Sequence, residues 1–492
     1  MAQMITRWQQ LKQNLSSSSG GRAFCFVFLI VVLFAVGVVL SNRSLNYPWY
    51  GDDFHLVRNF SGSEITQALR GNWDKDGIET PGYRPLTVAF NALRTRMFNE
   101  SVVSHRLFQI ALLAAYLAVA SIVAINLGLS YWAAMFAAVF TICTKNNWWN
   151  LVWIVDGVHA LTGLLLMLAV LLSISAVGNF AAWKIVLAAV LPTLALLVRE
   201  DALSMFPMIP ITGFIYACLT NPVPPARLRL NNGRVAWDVA RQDPRFPSLC
   251  LMIILSLLLL VAALIFFYVR SRLVAGAPFT IVWEGWQMHL VWLLYPMGIT
   301  LHGVTPEAVY LTWLATFGFL SGVNLFIAPA RWRFMTIYWL VSILVTSAHG
   351  LVEARGNLLL IPSTFLSFGI VWMMGGLAKL SRPAFTFSVL VVLSVLISSA
   401  IHNRIAQEAA NPLSTDYLQS NSNFLWGGKY SQSTVPPVRL AELQQLFVRL
   451  NINSRSDFDS LFPGMVEEAA TRHSPSDADG KPFEPRISFL QP

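Results

Sequence analysis

The chain alternates between long apolar stretches and short polar connectors. Eleven apolar runs, at about 23–41, 107–127, 131–145, 160–178, 181–198, 202–220, 248–270, 308–328, 334–349, 357–377 and 384–401, are long enough, or nearly so, to cross a bilayer. The hydrocarbon core is about 30 Å thick, so a crossing helix needs about 20 predominantly apolar residues. The pattern predicts an all-α polytopic membrane protein of about eleven transmembrane helices, with a long first extracytoplasmic loop at 42–106. A twelfth run, 287–303, is interrupted by Pro296, Gly298 and His302 and reads as an interfacial or re-entrant segment.

Basic residues set the expected orientation, because Lys and Arg accumulate in cytoplasmic loops. The first 22 residues carry Arg7, Lys12 and Arg22 and no acid, and the apolar run behind them is longer than a signal-peptide core, with no clean cleavage site. The N-terminus is therefore expected in the cytoplasm, ahead of an uncleaved first span. The 221–247 loop with its five arginines then falls inside, and if 287–303 does not cross, so do the Arg331–Arg333 pair and the Lys379–Arg382 pair. Three regions follow: a cytoplasmic segment 1–22, a transmembrane module 23–401 and an extracytoplasmic tail or small domain 402–492. In that tail Leu440, Leu443, Phe447 and Leu450 recur with helical spacing.

Composition agrees. Of 492 residues, 55% are hydrophobic and 12% charged, where a soluble domain carries about 25% charged residues. The 17 tryptophans suit two interfacial belts. A net charge of +9 is what cytoplasmic Lys and Arg produce, and no nucleic-acid motif accompanies it. Cys25, Cys143, Cys218 and Cys250 lie in or beside apolar segments and read as small core residues.

The candidate chemistry lies in the connectors on one expected face. The first outer loop opens with Gly51-Asp52-Asp53-Phe54-His55. A carboxylate pair just beyond a span can take a proton from a hydroxyl or hold a divalent metal, and it can equally be an acidic turn. Tyr83-Arg84-Pro85-Leu86-Thr87 follows, with proline suited to the first turn of a helix. Leu86, Phe90, Leu93 and Met97 then share one face, with Arg94 and Arg96 elsewhere, which predicts an amphipathic helix on the membrane surface. Arg84 at its start could meet a phosphate or snorkel to the interface. Asp156 and His159 sit three apart where a helix begins, as ligands, substrate contacts or a cap. Arg199-Glu200-Asp201 joins two apolar runs with almost no loop. Half-buried charges cost on the order of several kcal/mol unless paired, so this triplet is either a turn in water or part of a site. Glu353 and Arg355 open another span, and an arginine there could clamp a phosphate. The spans hold few ionisable residues near their centres, unlike a proton- or ion-coupled transporter.

These motifs, in this order, resemble the GT-C superfamily of glycosyltransferases that use polyprenyl-phosphate-linked sugars. The nearest likeness is to bacterial relatives of the transmembrane-and-TPR O-mannosyltransferases. Gly51 to Phe54 looks like the family's acidic motif, and Tyr83 to Thr87 like its Tyr-Arg-Pro-Leu motif, the most specific match. His105 to Gln109, Trp153 to Leu161, Leu197 to Pro207 and Glu353 to Ser363 resemble four further segments, with Arg199-Glu200 standing for Lys-Glu. The tail shows no repeat of TPR period, so the family's protein acceptor does not carry over.

The resemblance implies an inverting membrane glycosyltransferase in a bacterial inner membrane, acting at the extracytoplasmic face. Asp52 or Asp53 would be the base or metal support, with Mg or Mn as the expected divalent cation. Arg84, Arg199 and Arg355 would hold the donor phosphate. His55, Tyr83, Asp156, His159, Glu200, Asp201 and Glu353 would contact substrate. The partners would be a polyprenyl-phosphate-linked sugar, a glycan, lipid or protein acceptor, and the bilayer. The alternatives are a polyprenyl-diphosphate-linked oligosaccharide ligase and a lipid or sugar transporter or flippase.

Overall fold

The computed structural model of the chain describes residues 19–46, 60–71, 82–99, 101–144, 147, 149–179, 181–220, 245–274, 283–294, 306–351 and 356–401. Among these there are helices and turns and no strand. In chain order the helices are α1 (Ser19–Ser41), α2 (Gly62–Ala68), α3 (Pro85–Phe98), α4 (Val102–Asn126), α5 (Tyr131–Cys143), α6 (Gly157–Asn179), α7 (Ala182–Val198), α8 (Met208–Thr220), α9 (Phe246–Leu273), α10 (Trp283–Leu294), α11 (Pro306–Phe326), α12 (Ala330–Ser347), α13 (Leu360–Leu380) and α14 (Arg382–Ile401).

The eleven apolar runs are mainly helical over their described residues. Eight of the helical stretches are long and apolar enough to span a bilayer, while Tyr131–Cys143, Ala182–Val198 and Trp313–Phe326 are apolar but shorter. The chain is a multi-pass membrane protein. Its outward surface fits that setting: on α9, Ile253, Leu257, Leu260, Val261, Leu264 and Ile265 are all exposed, an apolar face too long for water. At 12 residues α10 reaches only about 18 Å, less than a bilayer core. The part of the 287–303 run beyond Leu294 lies outside the described residues, as does the tail 402–492.

The chain divides into two compact units. One comprises 1–40, 109–151 and 156–403 and is centred on α13. Within the most apolar stretch of α13, 89% of residues are buried, against 17% in α1 and 28% in α9 and α14. Around α13 pack α12, α5 and α11. Polar side chains pin it inside the apolar surroundings. Tyr116 donates to Thr364 Oγ1 at 2.7 Å, and Asn324 Nδ2 donates to the Met373 carbonyl at 2.9 Å. Such bonds substitute for the water that a membrane interior lacks. Elsewhere in the unit α6 forms a tight pair with α7 and also packs on α8.

The second unit comprises 41–108, 152–155 and 404–492. Ser61 and Glu64 form a capping box on α2, at 3.2 and 2.7 Å. Phe60, Ala68, Val88, Ala92 and Val155 make a small core. Pro85 opens α3, as expected. The apolar stripe of α3 does face outward, with Leu93 and Met97 exposed, but Arg94 is not on a watery side. It is buried, donating to the Ile154 carbonyl at 2.8 Å and to Asn91 Oδ1 at 3.1 Å. Arg106, also buried, donates to the carbonyls of Val152 and Leu45 at 3.1 and 3.2 Å. Two guanidiniums thus satisfy the backbone of an irregular segment, a task suited to their forked donors.

Candidate functional site

The site grows from five chain segments of the first unit. A one-turn helix at Ile154–Asp156 leads into α6, so Asp156 stands at the head of that helix and His159 in its first turn. A carboxylate is favoured there by the positive end of the helix dipole. Helix α7 ends at Val198, and Arg199, in extended backbone, turns the chain into the 3-10 helix Glu200–Met205. Arg270 lies in the last turn of α9. Past α12 the 3-10 helix Ala348–Leu351 carries His349, and α10 packs against it.

Their side chains meet. His159 Nε2 stands 3.5 Å from Asp156 Oδ1, and His159 Nδ1 stands 3.8 Å from Asp201 Oδ2. Arg199 Nε donates to Asp201 Oδ1 at 3.0 Å. Arg270 Nε donates to Glu200 Oε1 at 2.8 Å. His349 interacts electrostatically with Asp201, His159 and Arg199, and its Nδ1 lies 2.8 Å from the Thr346 carbonyl. The His289 ring, from α10, sits edge-on to His349 with 4.6 Å between centroids. Gly350 makes that approach feasible, since a Cβ there would come within 2.5 Å of His289 Nδ1. Trp286 Nε1 adds a 3.0 Å bond to Ser347 Oγ.

Three carboxylates here face two guanidiniums, all with side chains no more than 15% exposed. Three carboxylates against two guanidiniums leave one formal negative charge, which a single cationic group from a ligand or a bound proton would offset. The Asp156–His159 pair has the composition of a general acid–base dyad, a carboxylate orienting an imidazole.

Next to the cluster an apolar groove of ≈ 580 Å³ opens between residues 203–214 and α9. Leu203, Phe206 and Phe214 line one wall, and Met252, Leu259 and Ala263 line the other. The two walls run antiparallel. Glu200 pairs with Arg270 at one end, while at the other a Cβ on Gly213 would meet Met252 Sδ at 2.5 Å. Leu203 and Ala263 therefore mark the end of the groove nearest the charged cluster.

Of the residues predicted from sequence, Asp156, His159, Arg199, Glu200 and Asp201 converge here. The Glu200 carboxylate is engaged by Arg270 and Arg199 by Asp201, so both enter the site as members of ion pairs. Tyr83 and Arg84 belong to the second unit. Tyr83 donates to the Leu69 carbonyl at 3.1 Å, and burial raises its phenol above the ordinary value. Arg84 is the N-cap residue of α3 and makes no side-chain capping bond. Asp52, Asp53, His55, Glu353 and Arg355 lie outside the described residues. Among the described residues no three His, Cys, Asp or Glu side chains group as a metal site.

Arg270, His289 and His349 were not expected. Arg270 ends the apolar run 248–270, where nothing nearby in the sequence marks it out. The usable signal was the acid excess of the Glu200–Asp201 connector, which demanded a cation from elsewhere in the chain. No protein-family model matches the chain, and no curated protein sequence matches it.

Proposed function

We propose that the protein is a membrane glycosyltransferase that moves a sugar from a polyprenyl-phosphate donor to a hydroxyl acceptor at the extracytoplasmic face. One observation carries the reading: a buried cluster of Asp, Glu, His and Arg side chains at the ends of helices adjoins an apolar groove between two of those helices. That pairing suits an amphiphile with a long apolar tail and a polar, anionic head. The sequence motifs around Asp52–Asp53 and Tyr83–Thr87 point to the same class.

In the proposed reaction the acceptor oxygen attacks the anomeric carbon. The bond from that carbon to the phosphate oxygen breaks, and the lipid phosphate leaves with the electron pair. The acceptor proton passes to Asp52 or Asp53. Developing charge on the phosphate is met by arginine, with Arg84, Arg199 and Arg355 as the candidates. A single displacement inverts the anomeric centre. Placement of the charges at helix ends and not at mid-span favours this chemistry over a transporter.

The test uses the full chain in proteoliposomes with polyprenyl-phosphate glucose, mannose, galactose and arabinose, in the presence and absence of Mg or Mn. Transfer that is lost in Asp52→Asn or Asp53→Asn supports the reading. No transfer from any of the four donors rejects it, and unchanged turnover in both variants removes the proposed base.

A further inference from the structure

We propose that His349 is a substrate-facing residue whose Nε2 accepts a hydrogen bond from a sugar hydroxyl; the choice of a sugar rests on the glycosyltransferase reading above. His349 is 8% exposed. Its Nδ1 lies 2.8 Å from the Thr346 carbonyl, and a carbonyl oxygen can only accept, so Nδ1 carries the proton. That bond fixes the tautomer. In the neutral ring Nε2 is then a lone-pair acceptor, and it is buried with no hydrogen-bond partner among the described residues. A buried acceptor left unmatched is costly and calls for a donor.

The charged neighbours do not supply one. Asp201 is an acceptor when ionised, and its Oδ1 is taken by Arg199 Nε. His159 Nε2 is likewise buried without a hydrogen bond, at 3.5 Å from the Asp156 carboxylate. His349 Nε2 and the Asp201 carboxylate thus present acceptors within one cluster. The complementary ligand is a donor-rich one, and among the parts of an amphiphile that is a polyol head, not an alkyl tail. An anionic oxygen is the wrong partner for Nε2 in this tautomer, so His349 belongs to the sugar and not to the phosphate.

The test has one arm independent of turnover. The full chain, with ¹⁵N-labelled histidine, is placed in lipid nanodiscs, and the Nε2 resonance of His349 is identified by its loss in His349→Phe. Octyl glucoside, mannoside and galactoside are the sugar probes, and octanol is the tail-only control. The expected result is an upfield shift with at least one glycoside and none with octanol. No shift with any glycoside, an equal shift with octanol, or a resonance already hydrogen-bonded and unmoved, which would mean a buried water only, each overturns the proposal.

The second arm measures transfer from the polyprenyl-phosphate donors. His349→Gln, which can place an amide oxygen near the position of Nε2, should keep KM within about threefold, whereas His349→Asn should raise it about tenfold or more. If wild type transfers sugar and His349→Asn leaves both KM and kcat unchanged, the role of His349 falls while the enzyme reading stands. If the glycosides move the His349 resonance and no donor is ever used, the enzyme reading falls while the sugar contact stands.

Discussion

Arg270 and Glu200 are paired across 70 residues of chain, with Nε to Oε1 at 2.8 Å and side chains only 9% and 13% exposed. The bond ties the last turn of α9 to the connector that also carries Arg199 and Asp201. Breaking it from one side takes the guanidinium away from a nearly buried carboxylate, and losing one partner of a buried pair costs about 3–5 kcal/mol. Arg270→Met should therefore lower thermal stability in nanodiscs sharply. Arg270→Met with Glu200→Met should recover most of the loss, because two apolar groups of similar length leave no charge stranded. Additive losses in the double variant would show that the pair is not coupled.

Gly350 and Gly318 make a matched pair of positions. A Cβ on Gly350 would press on His289 Nδ1 at 2.5 Å and on the Gly285 carbonyl at 2.9 Å, while one on Gly318 meets nothing within 4 Å. Gly350→Ala should destabilise the protein by about 1–3 kcal/mol through overpacking against α10. Gly318→Ala, inside α11, should be neutral or should stabilise by up to about 1 kcal/mol. Equal melting temperatures for the two variants would contradict the contact between α10 and the Ala348–Leu351 turn.

Asp156 and His159 should act as one unit in the proposed reaction. Asp156→Asn and His159→Gln are each expected to lower kcat by about 10²-fold or more, in line with the loss of a group that positions substrate. Combined, they should cost little more than either alone. Multiplicative losses in initial-rate assays would mean that the two residues serve separate purposes.

The groove can be closed at its charged end. Ala263→Trp puts an indole between α9 and the residues around Leu203. If the lipid tail lies there, KM for a long polyprenyl-phosphate sugar should rise roughly tenfold, since only a few methylenes need lose their burial. KM for a donor with a methyl group in place of the lipid chain should change little. Equal effects on both donors would place the tail elsewhere.

Much of the fold was legible in the sequence because bilayer length is a coarse and strict constraint. The run 357–377 announces a span whatever surrounds it, and α13 duly covers Leu360–Leu380. The helix at Pro85–Phe98 could be read from its proline and its apolar stripe. The place of Arg94 could not, since helical spacing says which residues share a face and not whether that face meets water, lipid or the Ile154 carbonyl. At the site, Asp156, His159 and the 199–201 triplet stood out as charges beside apolar runs. Arg270 and His349 did not, because each sits at the end of a run and gains its meaning only from a partner far along the chain.

The position of α13 has a consequence for biogenesis. It is the most enclosed helix of its unit and one of the last to be synthesised, since it begins at Leu360 and only α14 follows among the described helices. Tyr116 and Asn324 must wait for Thr364 and Met373 to leave the ribosome before either bond can close. During translation the earlier helices therefore surround a space that only a late arrival fills, and a stalled chain ending before Leu360 would present that unfilled seam to the insertion and quality-control machinery.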